Sequence, residues 1–459
     1  LAQGYLIGMS LWFYAYANLQ YLWLLLFSCL IGWLLSCLPE KIFSEKGKKV
    51  LTGVGCVFHL GLLGYFKYSN FFLENLNTVF HTDFPMLQIL LPVGISFYTF
   101  QQLAYLIDRC RGDAPRDSFF DYLTFMVYFP QLLQGPILLR SEFMGQLKEP
   151  ERRRFHAERF SEGIQFFVFG LAKKVLLADT LAKAVNYGYS NVSMLDSISA
   201  LLLAAGYLTE LYFDFSGYCD MAVGLGKMIG LEVAENFDAP FHSASVKEFW
   251  RRWHMTLGRF FTRYVYIPLG GNRKGKMRTL CNVMIVMLLS GLWHGAAWTF
   301  VLWGFLHGVG MIWDNLEHPH LPKKWMRQAA TFAYVCMTFV FFRAESIAQG
   351  IDVLKSIVSL KWNGFVFQMA SALDLTEFYM ITKALSMKLP GLLSWFWLGI
   401  FVVLIAICFR VLSGKKVSGV VALQKQKGYG RLYPVLLAVL FTWSMISMTG
   451  VSEYLYFSF

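Results

Sequence analysis

Three histidines, His254, His294 and His307, fall in one stretch, Phe249 to His307, of a chain that is otherwise strongly apolar. An ionisable side chain at membrane depth costs free energy unless it is neutral, paired or near water, so imidazoles kept there point to use. A neutral imidazole takes a proton from a hydroxyl, and its reference pKa of about 6.5 suits general-base work near neutral pH. His294 has the setting that favours this role: it sits in Leu-Trp-His-Gly within apolar sequence, with Gly291 and Gly295 leaving room for close approach. His254 belongs to a different element, because the Gly-rich basic loop GGNRKGK at 270–276 must turn in water between the two. A hydrogen-bonded structural role competes for each of these residues, and for His307, in Leu-His-Gly, it is the favoured one.

The elements that position them are set by composition. The 459 residues are 56% hydrophobic and 15% charged, with a mean hydropathy of +0.47, against about 25% charged residues in soluble domains. This is the composition of an integral membrane protein. The net charge of +12 would suggest nucleic acid in a soluble chain, but here the bases fall between apolar segments and read as topology signals facing anionic lipid. Eight cysteines form no CxxC or metal-ligand spacing, which argues against a disulfide framework or a zinc site. The chain begins at Leu1 inside apolar sequence, and a preceding helix is expected.

Taken in order, apolar runs at 4–16, 21–38 and 50–68 are divided by the charged KIFSEKGKK (41–49), and Lys67 is placed to snorkel. Residues 92–107 read as a helix interrupted by Gly94, Ser96 and two glutamines. In 121–139, PQLLQGP carries Pro130 and Pro136, which break a helix and suggest a re-entrant segment lining a cavity. KEPERRRFHAERF (148–160) is a surface loop. Residues 161–189, punctuated by Lys173, Lys174, Asp179 and Lys183, read as an amphipathic interfacial helix or pair. In 197–231 the carboxylates of Glu210, Asp214 and Asp220 either face a bundle interior or, for Asp214, cap a helix broken at Ser216-Gly217. Lys247 to Arg263 reads as one basic, aromatic-rich amphipathic helix whose arginines anchor it at the membrane face. Further spans fall at 277–290, 296–312, 325–342, 392–411 and 434–448, with an interfacial helix at 346–360. The expected fold is all-α: a polytopic membrane helix bundle of about ten spanning helices with interfacial and re-entrant helices, forming one domain over 1–459.

Walker A, G-x-G-x-x-G, H-E-x-x-H and G-x-S-x-G motifs are absent. What is present is a linked set: LPVGISFYTFQ (91–101), YFPQLLQGPIL (128–138), FDFSGYCDMAVGLG (213–226), NFDAPF (236–241), FWRRWHMTLGRFFTRYVYIPLGGNR (249–273), LSGLWHGAAWTFVLWGFLHG (289–308), FFRAESI (341–347) and EYLYFSF (453–459). Together these resemble the membrane-bound O-acyltransferase family, and within it the bacterial alginate and polysaccharide O-acetyltransferase membrane subunits.

The resemblance implies a bundle enclosing a transmembrane tunnel, in the bacterial cytoplasmic (inner) membrane, that accepts an acyl donor from the cytoplasm. It implies that His294 is the family's essential histidine and that His254 occupies the upstream polar position of the pair. Trp293, Trp250, Trp253, Arg251, Asp214 and Ser216 are the candidate tunnel or substrate-binding residues. Acetyl-CoA is the expected donor, with no metal; the acceptor is an extracytoplasmic polysaccharide, reached directly or through an extracytoplasmic SGNH-type partner protein. The teichoic acid D-alanyltransferase branch shares the LWHG-like motif and would use an acyl carrier protein thioester, but YIPLGGNRKGK favours the acetyltransferase branch. A lipid-linked sugar transporter or flippase is the alternative from another class, disfavoured by the lack of paired halves and the few charges inside spans; an assembly scaffold is a third.

Overall fold

Backbone N–H and C=O groups in hydrocarbon must be satisfied within their own segment, which helices achieve. The computed structural model describes residues 2–37, 44–316, 322–412, 416–428, 430 and 432–448, and among these it is 80% helical with no strand. Leu1 and the EYLYFSF terminus lie outside the described residues. Among the described residues five helical stretches are long and apolar enough to cross a membrane: Gln3–Cys37, Lys46–Phe80, Ser197–Met228, Lys276–His294 and Pro390–Ile407, with a shorter apolar helix at Leu432–Ser447. Large apolar side chains on them face outward, among them Trp12, Trp23, Phe72, Trp395 and Leu436. Such an exposed apolar surface is unfavourable in water and fits lipid. The protein is a multi-pass helical membrane protein.

The chain forms two compact units. The first comprises 1–164, 222–235 and 256–269. In it the helix Phe119–Val127 stops at Tyr128, a single helical turn spans Phe129–Leu132, and 136–139 are non-helical, as the two prolines require. This broken segment is buried in protein: Ile137 N–H donates to Thr256 Oγ1 at 3.0 Å, and its carbonyl accepts from Arg259 at 3.1 Å. Arg259 also pairs with Glu142, and Arg263 with Asp108 and Asp113 at 3.0 and 2.9 Å. The expectation that these arginines serve as membrane anchors is therefore corrected: their charges are spent on carboxylates of the protein. Lys67 reaches Ser96 Oγ at 3.4 Å from a π-helical turn at Gly64–Tyr68 inside a helix that continues to Phe80, so it does not end a span.

The second unit comprises 165–221, 236–255 and 270–459. The sequence 157–190 is one helical run, Ala157–Ala172 and Asp179–Ser190 joined by a π-helical segment, Lys173–Ala178. Its Gly170 meets Gly217 of the helix Ser197–Met228 backbone to backbone: a Cβ on Gly170 would lie 2.5 Å from the Gly217 carbonyl oxygen. At this crossing Lys174 Nζ pairs with Asp214 at 2.6 Å and Asp179 at 2.7 Å, and Lys173 with Asp220 at 2.5 Å. Two expectations change here. Lys173 and Lys174 point inward rather than to an interface, because facing carboxylates receive them. The Ser197–Met228 helix runs unbroken through Ser216-Gly217, so Asp214 caps nothing and is the buried partner of Lys174.

That helix is capped instead by Asp196. Ser199 N–H donates to Asp196 Oδ1 at 2.7 Å while Asp196 N–H donates to Ser199 Oγ at 2.8 Å, and Oδ2 accepts from the N–H groups of Asn363 and Gly364 at 3.2 and 3.1 Å. Desolvation pushes the carboxyl pKa up, but the hydrogen bonds to the ionised form outweigh it and the net shift is downward. A depressed carboxylate contributes stability above its unfolded-state pKa and loses it as pH falls through the folded one. Asp196→Ala is expected to cost about 2–4 kcal/mol, read as a lower thermal unfolding midpoint in detergent at neutral pH, with the difference from the parent shrinking in acid.

Candidate active site

The helix Lys276–His294 ends on its histidine and turns through Gly295 into the helix Trp298–Asn315. The two helices touch through glycines. A Cβ on Gly291 would lie 2.3 Å from the Phe300 carbonyl oxygen, and one on Gly304 2.4 Å from that of Met287, so no larger residue fits either position without moving a backbone. The hairpin thus fixes His294, which is 6% exposed, against aromatic rings. Those of Trp293, Phe342 and Trp303 have centroids 4.9, 5.1 and 5.2 Å from the imidazole.

His254 reaches the same place from a corner. The basic helix expected over 247–263 is in fact divided into Val246–Arg252 and Met255–Phe261, followed by a π-helical turn at Thr262–Tyr266. The break falls at Trp253-His254, where His254 adopts φ +45°, a left-handed conformation that few residues other than glycine tolerate and in which histidine is enriched. The corner holds because Arg252 O accepts from Asp238 N–H at 2.9 Å and Asn236 O accepts from Met255 N–H at 3.0 Å. This turns the His254 ring inward, 1% exposed, to lie 4.7 Å from the Phe215 ring and 6.4 Å from that of His294.

The ring nitrogens of His254 are in unequal states. Nδ1 lies 3.2 Å from Asn236 Oδ1, while Asn236 Nδ2 donates to Cys219 Sγ at 3.4 Å. An amide oxygen only accepts, so Nδ1 carries the hydrogen and Nε2 keeps its lone pair. Nε2 is buried with no hydrogen-bond partner among the described residues. Desolvation at this corner, which lies outside the five long apolar helices, pushes the imidazole pKa down to about 3, so the ring is neutral. A buried acceptor without a partner costs roughly 1–3 kcal/mol, a cost expected where a ligand completes the bond. His307 is the opposite case. Nδ1 accepts from Trp250 Nε1 at 3.2 Å, and Nε2 donates at 3.0 Å to Thr338 Oγ1, whose own hydrogen goes to the Val335 carbonyl. Both nitrogens of His307 are occupied, one by Trp250 and the other by Thr338.

Two buried neighbouring imidazoles, one with a free lone pair, in an aromatic surround can activate a hydroxyl. A model of the membrane-bound O-acyltransferase family matches residues 112–351. The chain belongs to this family. It is 36% identical over 388 residues to a peptidoglycan O-acetyltransferase of Helicobacter pylori, covering 78% of this chain and 73% of that protein. It is 42% identical over 309 residues to the probable alginate O-acetylase AlgI of Pseudomonas putida, covering 65% and 62%. A teichoic acid D-alanyltransferase of Bacillus subtilis matches at 28% over 271 residues, 55% of this chain and 69% of that protein. The chain thus spans less than two thirds of the length of the alginate relative.

In this family member the remaining candidates take distinct places. Trp293 lies beside both histidines, 4.9 Å from the ring of His294 and 6.1 Å from that of His254. Trp250 packs on Trp303 and His307. Trp253 is a core residue stacked on Phe249 at 5.3 Å, with Phe237 and Phe339 on its edges. Arg251 is exposed at the end of its helix and is not brought to the histidines. Asp214 and Ser216 flank Phe215 on the Ser197–Met228 helix, and it is Phe215 between them that touches His254. Asn236, Phe215, Trp303 and Phe342 are the site residues that sequence reasoning missed. NFDAPF was visible as a motif, but nothing in its spacing tied Asn236 to His254. Among the described residues no cluster of His, Cys, Asp or Glu suited to a metal ion occurs.

Proposed function

We propose that this O-acyltransferase takes an acetyl group from cytoplasmic acetyl-CoA and passes it through the membrane for O-acetylation of an extracytoplasmic polysaccharide. The observation that carries the reading is the buried pair His254–His294, with an unsatisfied nitrogen on His254. In the reaction His294 removes the proton from the attacking hydroxyl, whose oxygen adds to the thioester carbonyl. Collapse of the tetrahedral intermediate expels the thiolate, which takes up the proton as free thiol. His254 accepts a hydrogen bond from the hydroxyl-bearing group and orients it, and the rings of Trp293, Trp303 and Phe342 exclude the water that would hydrolyse the thioester.

The names of the peptidoglycan and alginate relatives support a polysaccharide acceptor, and an extracytoplasmic SGNH-type protein is the proposed relay. A tunnel through a single domain, in the bacterial inner membrane, completes the reading. The test is purified protein in proteoliposomes given acetyl-labelled acetyl-CoA on one face. Release of CoA with label appearing in acceptor on the other face is expected. Transfer from a D-alanyl carrier-protein thioester instead would move the protein to the D-alanyl branch, and transport of a lipid-linked sugar with CoA untouched would refute acyl transfer.

A further inference from the structure

Nothing in the reaction scheme uses Asn236 or Cys219, yet both are buried and both bear on His254. Asn236 is held at three points: its carbonyl accepts from Met255 N–H at 3.0 Å, its Nδ2 donates to Cys219 Sγ at 3.4 Å, and its Oδ1 faces His254 Nδ1 at 3.2 Å. In the structure the amide turns its Nδ2 to the thiol sulfur of Cys219 on the unbroken Ser197–Met228 helix. With Nδ2 committed to sulfur, Oδ1 is the atom offered to the imidazole, and Oδ1 can only accept. A flipped amide would present Nδ2 to Nδ1, and the hydrogen on the ring would have to move to Nε2.

We infer that Asn236, whose Nδ2 is partnered by Cys219, is a positioning residue that sets the tautomer of His254 through Oδ1, so that Nε2 meets the substrate as an acceptor rather than as a donor. The inference rests on the proposed acyl transfer and deepens it. With its hydrogen on Nδ1, His254 can accept from the hydroxyl-bearing group at Nε2 and cannot donate there to the thioester carbonyl. The titratable groups that face His254 are few. Cys219 comes from the Ser197–Met228 helix by way of Asn236, and His294 from the Lys276–His294 helix; Phe215 and Trp293 are the apolar neighbours. Of the charged groups on the same corner, Arg252 is engaged with Glu248 at 2.8 Å and with the Asp238 carbonyl at 3.3 Å, and Asp238 with Lys416 at 3.6 Å.

The experiment compares full-length Asn236→Asp, Asn236→Leu, Cys219→Val and Cys219→Ser in proteoliposomes, measuring kcat, the KM for acetyl-CoA and the pH profile. Asn236→Asp keeps the acceptor but adds a charge that favours the imidazolium. The acid limb of kcat should move to higher pH by about one to three units, with activity approaching the parent's at the alkaline end. Asn236→Leu releases the tautomer and should lower kcat at least about tenfold at every pH, with KM for acetyl-CoA little changed. Cys219→Val frees the amide to flip and should lower kcat in the same direction, whereas Cys219→Ser retains an acceptor for Nδ2 and should restore it. If Asn236→Asp does not fold, the contrast between Val and Ser at 219 carries the test alone. Full activity in Asn236→Leu, equal losses in all four variants, or an unmoved acid limb in a folded Asn236→Asp would overturn the inference. Full activity after loss of both imidazoles would instead overturn the acyl-transfer reading itself.

Discussion

Replacing His294 by Ala is expected to lower the acyl-transfer rate by about 10²–10⁴-fold while leaving the protein assembled. Two features separate chemistry from folding at this position. The hairpin that carries His294 is held by the Gly291–Phe300 and Gly304–Met287 backbone contacts, which lie on other residues and survive the substitution. The imidazole packs edge-on against Trp293, Trp303 and Phe342, so its removal leaves a gap lined by large rings and costs packing energy locally. Thermal unfolding in detergent should therefore show a modest drop beside a near-total loss of labelled-acetyl transfer. An active His294→Ala enzyme of normal abundance would remove His294 from the mechanism. A base that acts only in the transition state should lower kcat and kcat/KM together, with little change in the KM for donor.

The second large effect is expected at His254, and the backbone there dictates which variant to make. Because His254 has φ +45°, an L-residue is strained and glycine is not, so His254→Gly removes the imidazole while relieving about 1–2 kcal/mol of backbone strain. The relief offsets part of the packing lost against Phe215, and the corner retains its bonds from Asp238 N–H to Arg252 O and from Met255 N–H to Asn236 O. Acyl transfer should fall by about 10²-fold or more, with unfolding near the parent's. His254→Asn keeps a side chain at home in the left-handed region but places no ring nitrogen beside His294, and should be similarly impaired. A His254→Gly protein with undiminished transfer would show that the buried lone pair serves no reaction.

Much of this site is legible in the sequence because it depends on composition and local pattern. An apolar run interrupted by Leu-Trp-His-Gly marks His294 before any fold is known, and Pro130 with Pro136 predicts the broken segment that the structure contains. The limits appear where a residue's state depends on a partner far along the chain. Periodicity carried one helix through 247–263, but the backbone bonds from 236–238 pull the chain into a corner at His254, and a helical pattern has no way to register them. Arg259 and Arg263 looked like interfacial anchors because their partners, Glu142 and Asp108, lie over a hundred positions upstream. In the sequence Asp214 fits a cap and an interior carboxylate equally well, and only the fold sets Lys174 opposite it.

The sequence by itself determined the solvent, the helical architecture and the two histidines worth testing, since hydropathy and the spacing of rare polar groups are properties of neighbouring residues. Only the tertiary structure decided that the rings of those histidines come within 6.4 Å, that His307 is fully engaged, and that Asn236 leaves His254 with a bare Nε2. The physical reason is that a hydrogen bond fixes an imidazole tautomer through the geometry of one specific partner. That partner, Asn236, reaches His254 through a fold that joins the 236–238 strip to the 252–255 corner, and no local pattern encodes the meeting.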